Sequence, residues 1–138
     1  MNLSVLVGHK ISDDTARNLD AYLCTNGFRK EEAKYRHVRR DIDLVIYYEP
    51  APEYDVSWQY TPEEVIWFVP MTEIVIQSRE TEEAHRLNYE MAKQVARLIN
   101  GVIYDHMARA SYNAEGIPFE RYGLGERLPG YGSGREFM

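Results

Sequence analysis

An acidic pair and an acid–histidine pair are the first candidates for chemistry in this sequence. Asp41 and Asp43 are two positions apart, so on a strand both carboxylates would point to one face and could share a cation or a proton. Glu82 and His85 would share a helix face, as in one half of a di-iron site, but the sequence has no second copy of that pattern. Because both pairs arise often by chance, we interpret them as solvent-facing positions.

The other nucleophiles and bases form no recognisable catalytic motif. His106 directly follows Asp105, but neighbouring residues of a strand face opposite ways, which argues against a catalytic dyad. Cys24 is the single cysteine, and its place near an apolar helix stripe predicts an inert thiol. We therefore predict a protein that is not an enzyme and has no catalytic residues, metal site or cofactor. A catalytic site assembled from residues scattered along the chain stays open.

The most unusual segment runs from Tyr47 to Phe68, and we call it the acidic aromatic window. It contains seven aromatic rings, five carboxylates and no Lys or Arg. Rings supply buried contact area at low entropic cost, and carboxylates steer and pair with basic groups of a partner. The predicted partner-binding residues are Glu53, Tyr54, Asp55, Trp58, Tyr60, Glu63 and Glu64. For the three rings among them, burial in the core under a long loop is an equal alternative.

The charge of the chain is concentrated in its middle third. The net charge is −6, yet residues 41–83 contain eleven Asp or Glu and a single Lys or Arg. Such a region repels nucleic-acid phosphates and attracts basic proteins, so we expect no nucleic-acid partner. The alternative is a solvated face that keeps the protein soluble.

Length and composition predict one domain in the cytoplasm. A chain of 138 residues can bury a core without a disulfide or a metal. No apolar run reaches the roughly 18–20 residues that a membrane helix requires, so we expect no membrane partner. The apolar N-terminal stretch is broken after six residues by Gly8 and His9, which indicates a first strand rather than a signal peptide.

The apolar periodicity predicts the order strand, helix, strand, strand, helix, strand. Ser12 and Thr81 are the expected helix N-caps, and an Asn-Gly pair follows each helix as a stop signal. The four strands are expected at 2–7, 42–48, 72–79 and 102–104, the last with an optional extension through Ala110. Residues 29–40 are predicted to be a solvated connection or the exposed start of a long strand.

This order predicts an α+β domain over residues 1–112. The expected arrangement is a ferredoxin-like split βαβ, with two helices on one face of an antiparallel sheet. A less regular α+β domain, in which Val65 to Val69 adds a fifth strand, is the alternative. Residues 113–138 contain six of the nine glycines, so we expect a tail that is mobile or packs as an extended strap.

The passage from Met91 to Asp105 resembles part of a known class of proteins. A long helix ends in a Gly turn, and an apolar strand then reaches Tyr104-Asp105. This is similar to bacterial immunity proteins, which are encoded beside polymorphic or contact-delivered toxins. The resemblance implies a non-enzymatic binding protein that blocks the active site of a cognate toxin, and basic toxins such as nucleases fit the charge best.

Two other functions stay open at this point. A small enzyme or ligand-binding domain would have a pocket between the sheet and the 49–70 loop, with Asp41, Asp43, His85 and His106 as its polar groups. A homo-oligomeric assembly protein would instead bury the window's rings against a second copy of the chain, as in a homodimer.

Overall fold

The protein folds into two α-helices and a seven-stranded antiparallel sheet, which confirms the predicted α+β class. The structure is a computed structural model that describes residues 1–50, 68 and 70–119, without the side chains of 49 and 50. Among these residues, no helix combines the length and the apolar character needed to cross a membrane. The elements are β1 Asn2–Val7, α1 Asp13–Thr25, β2 Phe28–Glu31, β3 Lys34–His37, β4 Val45–Pro50, β5 Thr72–Gln77, α2 Glu82–Ile99, β6 Val102–Asp105 and β7 Ala110–Tyr112.

The strand order across the sheet is β2-β3-β4-β5-β1-β6-β7. Each strand runs antiparallel to its neighbours, from the β2–β3 pair at one edge to the β6–β7 pair at the other. β1 therefore lies inside the sheet, between β5 and β6. This central position explains why the first strand is almost entirely buried.

Both helices begin at the predicted caps. The side chains of Ser12 and Thr81 accept hydrogen bonds from the backbone N–H groups of Thr15 and Ala84, at 3.1 and 3.2 Å. At the end of α2 the left-handed conformation is taken by Asn100, with φ of 56°, rather than by the glycine that follows it. Gly101 is needed there for space, because a Cβ atom would lie 2.7 Å from Val5 Cγ1.

The helices pack on one face of the sheet, which we call the helix face. Leu3 and Val5 of β1 point to it, and their cross-strand partners Ile76 and Ile74 are buried beside them. The residues of α2 that are buried against this face are mostly small: Ala84, Asn88, Ala92, Val95, Ala96 and Ile99. Leu98, by contrast, is 37% exposed.

The opposite face, which we call the polar face, is also buried but carries polar side chains. Ser4 and Leu6 of β1 point to it, and Glu73 lies directly across from Leu6. Tyr104 and Ser111 continue the same row outward from Ser4. Ser4, Glu73 and Ser111 are all buried. Polar residues that alternate with apolar ones along a strand usually face solvent, and these do not. The centre of the sheet is therefore buried on both faces, with different chemistry on each.

Three local predictions were wrong. Residues 29–40 are neither a solvated connection nor the start of a long strand, because they form most of the β2–β3 hairpin, whose turn places Glu32 at φ of 53°. The strand expected from Ile42 begins only at Val45, because a turn with Asp43 at φ of 44° precedes it. The strand at 102–104 does not continue through Ala110, because the chain turns at 106–109 and returns as β7.

Residues 113–119, the described part of the predicted tail, fold back on β7. Asn113 Oδ1 accepts from the backbone N–H groups of Glu115 and Ile117, both at 2.9 Å. Tyr112 and Pro118 then form an isolated bridge, and the N–H of Phe119 donates to Ser111 O at 3.0 Å. This stretch is thus held by backbone hydrogen bonds at the β7 edge of the sheet.

Candidate functional site

The acidic aromatic window begins and ends at one end of the sheet. Pro50 of β4 and Thr72 of β5 are cross-strand partners, and Val7 of β1 pairs with Thr72 on its other side. We call this the window end; the opposite end carries Asn2 and Asp105. The predicted partner-binding residues lie outside the described residues: Glu53, Tyr54, Asp55, Trp58, Tyr60, Glu63 and Glu64.

A pocket of about 510 Å³ lies beside β4, near the start of the window. Tyr35, Tyr48 and Asp20 are among its lining residues, together with Lys30. The Tyr35 hydroxyl donates to Asp20 Oδ1 at 2.6 Å. Burial and this hydrogen bond raise the pKa of Tyr35 far above its ordinary value. Tyr48 is the second residue of the window, so one of the window's rings lines this pocket.

Asp41 and Asp43 do not form the cation site that a shared strand face would allow. Both lie in the turn before β4 rather than on a strand. Arg39 Nη2 lies 2.7 Å from Asp41 Oδ2, and Arg36 Nη1 lies 2.7 Å from Asp43 Oδ1. The hydrogen bond from Arg39 lowers the pKa of Asp41. Each carboxylate is therefore paired with its own arginine. Within the described ranges, no three His, Cys, Asp or Glu side chains are grouped to hold a metal.

A hydrogen-bonded cluster of three polar residues lies on the polar face. Ser4 Oγ donates to Glu73 Oε2 at 2.7 Å and lies 2.7 Å from His106 Nε2. The hydroxyl of Ser4 has one proton, so while it donates to Glu73 the imidazole must donate to Ser4. The result is a chain of hydrogen bonds that runs from His106 through a fully buried serine to a carboxylate that is 4% exposed.

This cluster is not arranged as a nucleophilic triad. In a triad the imidazole lies between the hydroxyl and the carboxylate and removes the hydroxyl proton. Here the hydroxyl of Ser4 lies between Glu73 and His106, and its residue has no exposed surface. The arrangement can transmit charge between the imidazole and the carboxylate, but Ser4 is poorly placed to attack a substrate.

His106 and His85 line one open pocket of about 450 Å³ at the Asn2 end of the sheet. His85 Nε2 lies 2.8 Å from Oε2 of Glu80, a residue just before α2. Hydrogen bonds from the Met1 ammonium group and from His85 lower the pKa of Glu80. Two of the four polar groups named for a ligand-binding domain, His85 and His106, thus share a pocket at the Asn2 end of the sheet.

The sequence did not identify Ser4 and Glu73 as site residues, and it indicated the wrong environment for the thiol of Cys24. Ser4 and Glu73 occur singly in strands, where a polar residue usually faces solvent, and only the register of β1 with β5 brings them together. Cys24 is exposed on α1, whereas its position near the apolar stripe had suggested burial.

Comparisons of the chain with protein-family models, with curated proteins and with solved structures found no match.

Proposed function

We propose that this protein binds and neutralises a basic protein toxin, and that it does so without catalysis by covering the active site of that toxin. The observation that carries the proposal is the acidic aromatic window, which has seven rings, five carboxylates and no basic residue. Its first residues belong to β4, and Pro50 of β4 pairs with Thr72 of β5, which follows the window in the sequence. A scaffold of paired strands limits the entropy that a binding segment loses when it docks.

The charges of the described residues support this assignment of the binding surface. Three of the basic residues in or beside the β2–β3 hairpin pair with nearby carboxylates: Lys30 with Asp20, Arg36 with Glu31 and Asp43, and Arg39 with Asp41 and Glu83. These pairs compensate one another locally. The window has no basic residue of its own, so its five carboxylates have no compensating charge within the segment and would attract a basic partner.

The pocket beside β4 extends the proposed surface. Tyr35 and Tyr48 provide two rings next to the start of the window, and Asp20 provides a carboxylate. A basic side chain of a partner could contact a ring face here while its charged group pairs with carboxylates of the window. We propose Trp58 and the neighbouring tyrosines Tyr54 and Tyr60 as the anchors of the interface, and Glu53, Asp55, Glu63 and Glu64 as its charges.

We also propose a ferredoxin-like core and a cytoplasmic location. Four strands in the order β4-β5-β1-β6 support the core assignment, because α1 follows β1 and α2 follows β5, as in a split βαβ unit. The β2–β3 hairpin and β7 would then be additions at the two edges. An immunity protein of this kind acts inside the cell that makes the toxin, and neither nucleic acid nor membrane is among its proposed partners.

The test is the association rate with the basic toxin encoded by the adjacent gene, measured at low and high salt. The variant carries Glu53→Gln, Asp55→Asn, Glu63→Gln and Glu64→Gln. Removal of these charges should slow association at low salt by at least about tenfold, with little effect at high salt. The matched control neutralises four exposed carboxylates outside the window: Asp14, Glu82, Glu90 and Glu115.

Equal rates for the two charge-neutralised variants, or association that does not depend on salt, would contradict the electrostatic proposal. Trp58→Ala tests the anchor, and it should weaken binding by about thirtyfold or more if the ring is a central contact. Sedimentation of the isolated protein distinguishes the homo-oligomer alternative, because rings that bury against a second copy of the chain would give a dimer without the toxin.

A further inference from the structure

The pocket at the Asn2 end of the sheet combines hydrogen-bond acceptors with an apolar rim. Its lining includes Asn2, Glu80, His85, Asp105, His106 and Met107. Its volume of about 450 Å³ lies within the range of sites that bind small ligands. It is separated from the window end by the length of β1, or roughly 17 Å at about 3.3 Å per residue.

Each of the two imidazoles in this pocket is in contact with an acidic group. His85 is hydrogen-bonded directly to Glu80, at 2.8 Å. His106 is connected to Glu73 through the hydroxyl of Ser4, with 2.7 Å for each step. A contact of this type fixes the orientation of the imidazole ring. The polar lining of the pocket is therefore organised before a ligand arrives.

Glu80 is already paired with the Met1 ammonium group and with His85, which leaves Asp105 as the carboxylate of the pocket for a positively charged ligand. One wall already holds an ammonium group, because the amino group of Met1 pairs with Glu80 and donates to Ser78 O at 3.0 Å. Asp105 supplies a second carboxylate. Its Oδ1 atom accepts from the backbone N–H groups of Met107 and Ala108, at 2.9 and 3.1 Å, so the group is held in a defined orientation.

The rim of the pocket offers contact to an alkyl stem. Met107 is 93% exposed, the largest exposed fraction among the large apolar side chains of the described residues. A thioether adapts its shape to an apolar partner at small cost. A cation with an alkyl stem could place its charge at Asp105 and its methylene groups against Met107.

We propose that this pocket binds an alkylammonium or guanidinium group carried on a short apolar stem. The cation pairs with the carboxylate of Asp105, the two imidazoles line its sides, and the stem packs on Met107. Such a group occurs in free amines and in the Lys and Arg side chains of peptides. The described lining of the pocket contains no residue of the window, so this proposal is tested separately from the proposed toxin binding.

The test uses n-butylammonium and follows the ring signals of histidine by NMR spectroscopy. The chain has four histidines, of which His85 and His106 line the pocket, whereas His9 and His37 are not among its lining residues. We expect saturable shifts of the first two signals and unchanged signals for the other two. Butan-1-ol, which has the same stem without the charge, should bind at least about tenfold more weakly.

Two variants locate the site. Asp105→Asn removes the charge but keeps an Oδ1 acceptor for the turn, so it should weaken n-butylammonium binding about tenfold without unfolding the protein. Glu82→Gln is the matched control, because Glu82 is an exposed carboxylate on α2 that does not line the pocket. Equal losses in both variants, equal binding of butan-1-ol, or shifts that do not saturate would overturn the proposal.

A second probe identifies the source of the cation. The peptide acetyl-Gly-Lys-Gly-amide presents the same ammonium group on a protein side chain. Tighter binding of the peptide than of n-butylammonium would assign the pocket to a protein partner, and weaker binding would assign it to a small amine. Failure of both probes to shift His85 and His106 would overturn the proposal for either source.

Discussion

The two faces of the sheet are both buried, yet they differ in what fills them. The helix face is apolar at its centre, where Leu3, Val5, Ile74 and Ile76 pack under α2. The polar face places Ser4 and Glu73 in positions of equal burial and connects them to His106 by hydrogen bonds. Apolar packing and a polar network thus occupy opposite sides of the same strands.

The difference indicates which face the fold depends on and which face is available for function. Burial of an apolar side chain stabilises any compact state, so the helix face needs only the correct pattern. Burial of a serine and a carboxylate costs free energy unless their hydrogen bonds are made, so the polar face requires a defined geometry. That requirement extends to His106 and hence to one wall of the pocket.

The largest effect that separates the two faces is expected from Ile76→Ala. Ile76 is fully buried on the helix face, between Leu3 and Ile46 of the neighbouring strands. Loss of its side chain should lower the free energy of unfolding by about 2–5 kcal/mol, because a cavity replaces close packing. Urea unfolding measures the change, with Ile117→Ala at a 61% exposed position as the control. A loss below about 1 kcal/mol would mean that the helix face is loosely packed.

A smaller effect is expected on the polar face from Ser4→Ala. The methyl side chain leaves Glu73 without one hydrogen-bond donor, so the free energy of unfolding should fall by about 1–3 kcal/mol. If that loss comes from the unsatisfied carboxylate of Glu73, the Glu73→Gln substitution should lower the free energy of unfolding by less in the Ser4→Ala background than in the wild-type protein. Strictly additive losses would show that the cluster does not act as a unit. The ring signals of His106 should also shift in Ser4→Ala, because its imidazole loses the contact with Ser4 Oγ.

The contrast between the faces also shows what the sequence could predict. Both helices, their caps at Ser12 and Thr81 and the α+β class follow from local signals, namely apolar periodicity and side chains that accept from free N–H groups. The β2–β3 hairpin was missed because its turn is Glu32-Ala33 and not the Asn-Gly type that marks a two-residue loop. Asp43 at positive φ was missed for the same reason, since no glycine announces the turn.

The polar cluster could not be predicted because it depends on register. Ser4, Glu73 and His106 are up to 102 positions apart, and they meet only because β5 and β6 flank β1 in one particular alignment. A register shift of one residue would move Ser4 to the helix face. By contrast, His85 and His106 could be selected as candidates by residue type alone, although their common pocket could not be located.

The smallest effect at neutral pH concerns Tyr35, a polar group at the margin of the helix face. Burial and the hydrogen bond to Asp20 raise the pKa of Tyr35 in the folded protein above its unfolded value of about 10. At a pH between the unfolded and the folded pKa of Tyr35, the folded state keeps a proton that the unfolded state has released. Stability from this contact is therefore fully present below about pH 10 and is lost as the pH rises further.

Tyr35→Phe isolates that contribution, because Phe keeps the ring in the core and removes the titrating hydroxyl. Between pH 7 and 9 the difference in unfolding free energy between variant and wild type should be constant. Above about pH 10 it should shrink, because only the wild type has an unfolded state that is stabilised by release of the Tyr35 proton. Urea unfolding at a series of pH values up to 11 measures it. A difference that stays constant up to pH 11 would show that water reaches the Tyr35 hydroxyl. The helix face would then be open to solvent at this margin, beside the pocket that Asp20 lines.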